Sequence, residues 1–257
     1  MATFEEVLAI VRRLRAPDGC PWDRKQTNYS LRYALIEEAY EVLDAIEKND
    51  PRQLKEELGD AILVVLLHTV IQEELGNFTA AEMLEDLKTK LIERHPHVFG
   101  TRRFETQQEL LENWEKSKKG GLLDSVPRSL PALLLAQKVQ EKTARVGFDW
   151  DSVEGPLDKV EEEVREIREA LKQGKNREKI GEELGDLIFA LVNLARHLGF
   201  NAEDLVRQTA LKFIRRFQAI EQGARRQGRD LKTMSLEEMD ALWEEAKDRE
   251  EEPSAGE

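Results

Sequence analysis

Glu56-Glu57-Leu58-Gly59-Asp60 recurs in this chain as Glu182-Glu183-Leu184-Gly185-Asp186, and the repetition extends well beyond these five residues. Glu37-Glu38-x-x-Glu41 recurs as Glu162-Glu163-x-x-Glu166, and Trp22-Asp23 as Trp150-Asp151. Lys90 and Arg94 answer Lys212 and Arg216, and Trp114-Glu115 answers Trp243-Glu244. The offset between partners runs only from 122 (Lys90 to Lys212) to 129 (Trp114 to Trp243). A period that long is no solenoid repeat; it is the tandem duplication of a whole domain. A chain of 257 residues has room for two such domains. Gly120, Gly121, Pro127 and Pro131 punctuate the stretch between them. The expected layout is therefore a first domain over 1–119, a linker over 120–131, a second domain over 132–248 and a disordered acidic tail over 249–257.

Each copy reads as four or five helices packed as a bundle, so the fold class is all-α. Apolar residues recur at helical spacing and strand signals are nearly absent. In the first copy a helix ends near Ala16, and others are expected near 30–48, 52–75, 79–94 and 107–118. In the second they fall near 131–145, 156–173, 176–198, 202–227 and 236–248. Thr106-x-x-Glu109 and Ser235-x-x-Glu238 have the form of capping boxes opening the last helix of each copy.

The helical wheel gives the repeat a chemical meaning. At ~100° per residue, Leu35, Ala39, Val42 and Ile46 form one apolar stripe, and Glu38 and Glu41 lie roughly 60° and 120° round from its first residue. Leu54, Leu58, Ala61 and Val65 form a second stripe, with Glu57 and Asp60 at the same angles. The second copy repeats the design. Val160, Val164, Ile167 and Leu171 are flanked by Glu163 and Glu166, and Ile180, Leu184, Leu187 and Leu191 by Glu183 and Asp186. Two such pairs on packed helices bring four carboxylates into one cleft at the edge of the core, where they repel and resist desolvation. Oxygen-only ligands favour a hard cation, Mg²⁺ or Mn²⁺, over zinc. With 52 acidic residues in the chain, a single Glu-x-x-Glu is ordinary helix surface. Two pairs at matched angles, in both copies, shift the reading to a metal site.

Other groups carry weaker signals. Lys212, Arg215 and Arg216 cluster on one helix and suit phosphate oxygens, though ordinary surface charge has the same look. Trp114 and Trp243 suit either base stacking or the core. His95-Pro96-His97-Val98-Phe99 stands only in the first copy and reads as a helix-terminating turn, because no Cys or third His completes a zinc set. Gly59 and Gly185, inside helices and beside the acids, imply close helix packing or close approach of a nucleotide. The net charge of -13 argues against nucleic acid or an anionic membrane as partner. The single Cys20, the lack of a signal-peptide core and the shortness of the longest apolar run (Ala61 to Leu67) lead to the expectation of a cytoplasmic protein.

Glu-Glu-x-x-Glu, a spacer, then Glu-x-x-Asp, duplicated and joined by the His-Pro-His-Val-Phe turn and the two Trp-Glu segments, resembles the MazG-type all-alpha nucleoside triphosphate pyrophosphohydrolases. The resemblance spans about Phe4 to Lys247. It implies a dimeric all-α protein that cleaves NTPs or dNTPs between the α- and β-phosphates, giving NMP and pyrophosphate with Mg²⁺, Mn²⁺ being a possible substitute. It implies that Glu163, Glu166, Glu183 and Asp186 are the catalytic metal ligands, with Glu38, Glu41, Glu57 and Asp60 matching them in the first copy. Lys159, Glu162, Lys179, Glu182, Lys212, Arg215, Arg216 and Trp243 would line the nucleotide pocket. It further implies that the second copy does most of the catalysis. The residues lean the same way: Glu93 stands where the second copy has Arg215, an added negative charge beside a triphosphate. Three other readings remain open on the sequence: a module that senses nucleotide or binds a partner without cleavage, a helical scaffold, and a house-cleaning hydrolase for one altered nucleotide.

Overall fold

The computed structural model of the chain describes residues 1–104, 106, 109–110 and 120–251. It divides into two compact units, Met1–Trp114 and Glu115–Glu257. The first holds α1 (Phe4–Arg15), a 3-10 turn (Asp23–Lys25), α2 (Ala34–Glu47), α3 (Pro51–Glu74), α4 (Ala80–Arg94) and the one-turn α5 (Pro96–Phe99). The second holds α6 (Ala132–Ala144), α7 (Glu154–Lys172), α8 (Arg177–His197), α9 (Ala202–Arg226), a 3-10 turn (Leu231–Thr233) and α10 (Leu236–Glu251). There is no strand among the described residues. The protein is a tandem duplication of an all-α domain.

Several helices start where a side chain satisfies their orphan backbone N–H groups. Thr3 with Glu6, and Thr79 with Glu82, form reciprocal capping boxes. Asp50 caps α3 from its side chain, with Pro51 at the first helical position. Gly76 (φ 71°) ends α3, where its N–H donates to Glu73 O and the Asn77 N–H to Gln72 O. Gly199 (φ 81°) ends α8 with the same two bonds, to Arg196 O and Ala195 O.

The two hairpins, α2–α3 and α7–α8, are the most extensively packed helix pairs of their units. Each turns on one left-handed residue, Asn49 (φ 51°) in the first and Gly174 (φ 59°) in the second. Asn and Gly are the residues that reach this region at least cost. Just before each turn stands a fully buried alanine, Ala45 or Ala170, small enough to let the helices close. In the first unit α1 packs on α3, and Leu8, Val11, Leu31, Leu66, Leu67, Val70, Ile71 and Ala80 form the core. In the second, α6 packs on α8 and the buried cluster is smaller: Val192, Ala195 and Ala202, with Leu133 and Ala136 against it.

Several expectations need correction. The helix expected from residue 30 begins at Ala34, because Thr27 and Ser30 cap each other's backbone N–H groups and hold 27–33 in turns. The stretch 120–131 is attached to the second unit: Val126 is buried, and the Lys142 ammonium donates to Leu122 O at 3.0 Å. Helix α10 runs through Glu251, so the first residues of the expected tail are helical. Trp114 and most of the helix expected over 107–118 lie outside the described residues, as does 252–257. Neither Gly59 nor Gly185 meets a packed helix, since a Cβ on either would have open space around it.

Leu58 is 48% exposed and Leu184 46%, and Leu35, Ile46, Val65, Leu171 and Leu191 are exposed as well. Within its unit α2 packs mainly on α3, and α7 on α8, among the described residues. Val160, Val164 and Ile167 on α7 and Leu54 and Ala61 on α3 are half-buried, so the stripe is a partly exposed face rather than the core.

Helix α10 is pinned to α9 through Arg229, whose guanidinium grips Glu238 at 2.5 and 2.9 Å. Glu238 also closes the expected capping box: the Ser235 N–H donates to it at 2.8 Å, and the Glu238 N–H donates to Ser235 Oγ at 3.3 Å. The Arg229 hydrogen bonds, then the Ser235 N–H, hold its carboxyl down at about 2. A carboxyl depressed in the fold stabilises it fully above its unfolded pKa of 4.5, and that contribution fades as pH falls through about 2. A pH titration of α10 unfolding should show this acid-side loss. In Arg229→Gln the carboxyl should titrate closer to its ordinary value, and the acid-side loss should shrink.

Candidate active site

The hairpins place the carboxylates by simple counting. In the second unit Glu166 precedes Gly174 by eight residues and Glu183 follows it by nine, while Glu163 precedes it by eleven and Asp186 follows it by twelve. Two helices leaving one tight turn climb ~1.5 Å per residue, so equal steps on each side come level. Glu166 faces Glu183, and Glu163 faces Asp186. In the first unit Glu41 and Glu57 each lie eight residues from Asn49, and Glu38 and Asp60 each lie eleven from it.

The side chains converge accordingly. One carboxylate oxygen from each of Glu163, Glu183 and Asp186 lies within 4.8 Å of the others, and Glu166 joins them by a hydrogen bond to Glu183. In the first unit Glu38, Glu41 and Glu57 meet the same 4.8 Å limit, and Asp60 is near enough to push the Glu38 pKa up. In each unit three of the four acids picked out by the wheel share one cluster of oxygens, and the fourth, Glu166 or Asp60, acts on it from beside.

The two clusters balance their charge differently. Glu163 and Glu183 are the most buried acids of the second cluster, 3% and 4% exposed. A buried carboxylate without a positive partner is strongly unfavourable. Here each has a lysine one turn back: Lys159 Nζ lies 2.7 Å from Glu163 and 3.1 Å from Glu162, and Lys179 Nζ lies 3.0 Å from Glu183 and 3.1 Å from Glu182. The Lys179 hydrogen bond holds the Glu183 carboxyl below its usual range and raises Lys179. Glu166, hydrogen-bonded to Glu183 and crowded by Glu163 and Glu162, is pushed up. In the first unit Ala34 and Gln53 occupy the two lysine positions, and Gln53 Nε2 makes only a long 3.4 Å contact with Glu57. Burial first, then Glu41, Asp60 and Glu57, raises Glu38.

The equivalent oxygen in both clusters, Oε2 of Glu38 and Oε2 of Glu163, is buried with no hydrogen-bond partner. Oxygens around a small hard cation sit ~2.1 Å from it, hence about 3 to 4 Å apart. An all-carboxylate set whose oxygens lie within 4.8 Å of one another, with one buried oxygen unmet, is of the hard, oxygen-only kind that Mg²⁺ or Mn²⁺ takes.

A model of the MazG nucleotide pyrophosphohydrolase domain matches the chain twice, over residues 26–99 and 152–220. Each match contains one hairpin with its four acids. The chain belongs to the MazG family. It is 40% identical over 247 residues to the nucleoside triphosphate pyrophosphohydrolase/pyrophosphatase MazG of Thermotoga maritima, covering 95% of both chains. It is 40% identical over 260 residues to the nucleoside triphosphate pyrophosphohydrolase of Escherichia coli K12, covering 97% of this chain and 99% of that one. It is also 44% identical over 254 residues to the uncharacterised protein YabN of Bacillus subtilis, covering 96% of this chain and 52% of the other.

The remaining site candidates of the second MazG domain lie on a different helix pair. Lys212, Arg215 and Arg216 are on α9 and Trp243 is on α10. These two helices pack on each other, while α9 meets α8 only sparsely. The Trp243 ring rests 5.1 Å from Phe213, and the Arg216 guanidinium lies 5.6 Å from its centre. Trp243 and α10 fall outside the matched span. In the first MazG domain His95 breaks α4 and Pro96 starts α5, as expected of a helix-ending turn, and no histidine joins a metal-type cluster among the described residues.

The wheel missed a second polar cluster. Asp149 accepts from Arg196 at 2.6 Å and pairs with His197 at 2.8 Å, pinning the turn before α7 to the end of α8. Trp150 in that turn lies against Gly155, where a Cβ would come within 2.2 Å of the ring. No periodic pattern marks these residues, because the contact joins positions far apart in sequence. Among the described residues, no helix is long and apolar enough to cross a membrane.

Proposed function

We propose that the chain hydrolyses nucleoside and deoxynucleoside triphosphates to the monophosphate and pyrophosphate, that it uses Mg²⁺, with Mn²⁺ as a substitute, and that the second MazG domain does most of the work. One observation carries the reading: the two deeply buried glutamates on facing helices, Glu163 and Glu183, are completed by Glu166 and Asp186, and one buried oxygen is left unmet. These four would hold the cation. When bound, Mg²⁺ supplies positive charge for the triphosphate and for the leaving pyrophosphate. Carboxylate oxygens not engaged with it accept a hydrogen bond from the attacking water and orient it. Lys159, Lys179, Lys212, Arg215 and Arg216 supply donors for phosphate oxygens, with Glu162 and Glu182 positioning the two hairpin lysines, and Trp243 offers a face for the base.

Three departures set the first MazG domain apart: Ala34 for Lys159, Gln53 for Lys179 and Glu93 for Arg215. Each removes positive charge from where a triphosphate would lie, so this copy retains the acids and loses the grip. That favours a binding role without turnover for the first domain. The exposed parts of the stripes on α2–α3 and α7–α8 are the surfaces a homodimer would cover.

The test is product analysis by HPLC after incubation with a panel of NTPs and dNTPs, with Mg²⁺ or with EDTA. NMP and pyrophosphate in the metal-containing samples alone would support the reading. NDP and phosphate, or binding without products, would overturn it and favour a nucleotide sensor.

A further inference from the structure

Lys-x-x-Glu-Glu occurs twice in the second MazG domain, at Lys159 to Glu163 and Lys179 to Glu183, and the matching positions of the first domain read Ala34 to Glu38 and Gln53 to Glu57. The lysines are not placed as ordinary helix-surface pairs. Each ammonium reaches the one glutamate of its helix that is nearly inaccessible, while the lysine side chains themselves are 38% and 44% exposed. The buried carboxylates are therefore neutralised by cations whose stems lie partly at the surface, within reach of solvent and of a ligand arriving from it.

We propose that Lys159 and Lys179 are built-in counter-ions that hold the second cluster against free divalent cation, and that a triphosphate releases it by drawing both ammonium groups onto its phosphates. The inference rests on the reading of this cluster as the metal-dependent triphosphate site. A metal taking the oxygens of Glu163 and Glu183 must displace the two ammonium groups, which then face a like charge at close range. Alone, the metal meets that opposition in full. With a triphosphate present, the displaced lysines find phosphate oxygens, and the loss is recovered. Metal and nucleotide then each raise the other's affinity, as linkage requires. The first domain has no lysine to displace, so its cluster lacks this device.

The experiment is a Mn²⁺ titration of the full chain, followed by electron paramagnetic resonance, with and without an α,β-methylene triphosphate. The first cluster is silenced by Glu38→Gln and Glu57→Gln so that one site is read. Lys159→Met/Lys179→Met should bind Mn²⁺ without nucleotide ~10-fold more tightly, within the usual range of coupling between sites. The gain in Mn²⁺ affinity caused by the nucleotide should shrink accordingly. Lys175→Met is the control, because Lys175 acts on Glu183 through space without a hydrogen bond to it. An equal gain in Lys175→Met would reduce the effect to general charge and overturn the proposal. Unchanged Mn²⁺ affinity in the double lysine variant would overturn it too. In both cases the metal-site reading survives if Glu183→Gln abolishes Mn²⁺ binding. No Mn²⁺ binding in the silenced parent, even with nucleotide, would sink both. Should the Met pair melt early by circular dichroism, Lys159→Gln/Lys179→Gln, which repeats the first domain's own choice at Gln53, replaces it.

Discussion

Glu183→Gln is expected to lower pyrophosphate release by on the order of 10²–10⁴-fold, while Glu57→Gln, its counterpart in the first MazG domain, leaves most of the activity in place. Glutamine keeps the shape of the side chain and removes its charge, so the loss reports chemistry more than packing. Glu183 is buried between α7 and α8, takes a hydrogen bond from Lys179 and shares one with Glu166, so its charge organises the whole second cluster. Lys179 loses a partner in the variant but keeps Glu182 and its contact with water, which spares the fold. Steady-state release measured on both variants, with melting curves alongside, checks this. Equal losses in the two would place catalysis in both domains and void the argument from Ala34, Gln53 and Glu93.

Much of this arrangement could be read from residue order. The offset repeat gave the two units, and the i, i+3 acids gave both clusters, because a helix fixes angles without reference to its neighbours. The levels could also have been counted: Glu41 and Glu57 stand at equal steps from Asn49, a residue suited to the left-handed turn it makes. What the wheel could not supply was depth. It assigned the acids to the shoulder and Leu58 or Leu184 to the core, whereas Glu163 and Glu183 are nearly inaccessible and both leucines are about half exposed. Burial depends on what else is laid across a face, and a wheel drawn for one helix has no term for its neighbours. The same limit hid the link between Asp149 and the Arg196–His197 pair.

Residues 65 and 66 turn this difference into a measurement. Leu66→Ala is expected to cost ~2–5 kcal/mol of stability in the first unit, the range for opening a cavity in a packed core. Leu66 is fully buried and packs in the cluster with Leu8, Val11 and Val70. Val65 belongs to the apolar stripe by periodicity, yet it is half exposed. Val65→Ala should therefore cost less than ~1 kcal/mol in dilute protein. Denaturant unfolding of the two variants at several protein concentrations separates the possible roles of the stripe. If a second copy covers α3, the cost of Val65→Ala must grow with concentration, because association stabilises the folded state by mass action, while the cost of Leu66→Ala stays fixed. If Val65→Ala costs more than Leu66→Ala even in dilute protein, the stripe is the true core of the single chain, and the exposed face from which dimerisation is argued does not exist.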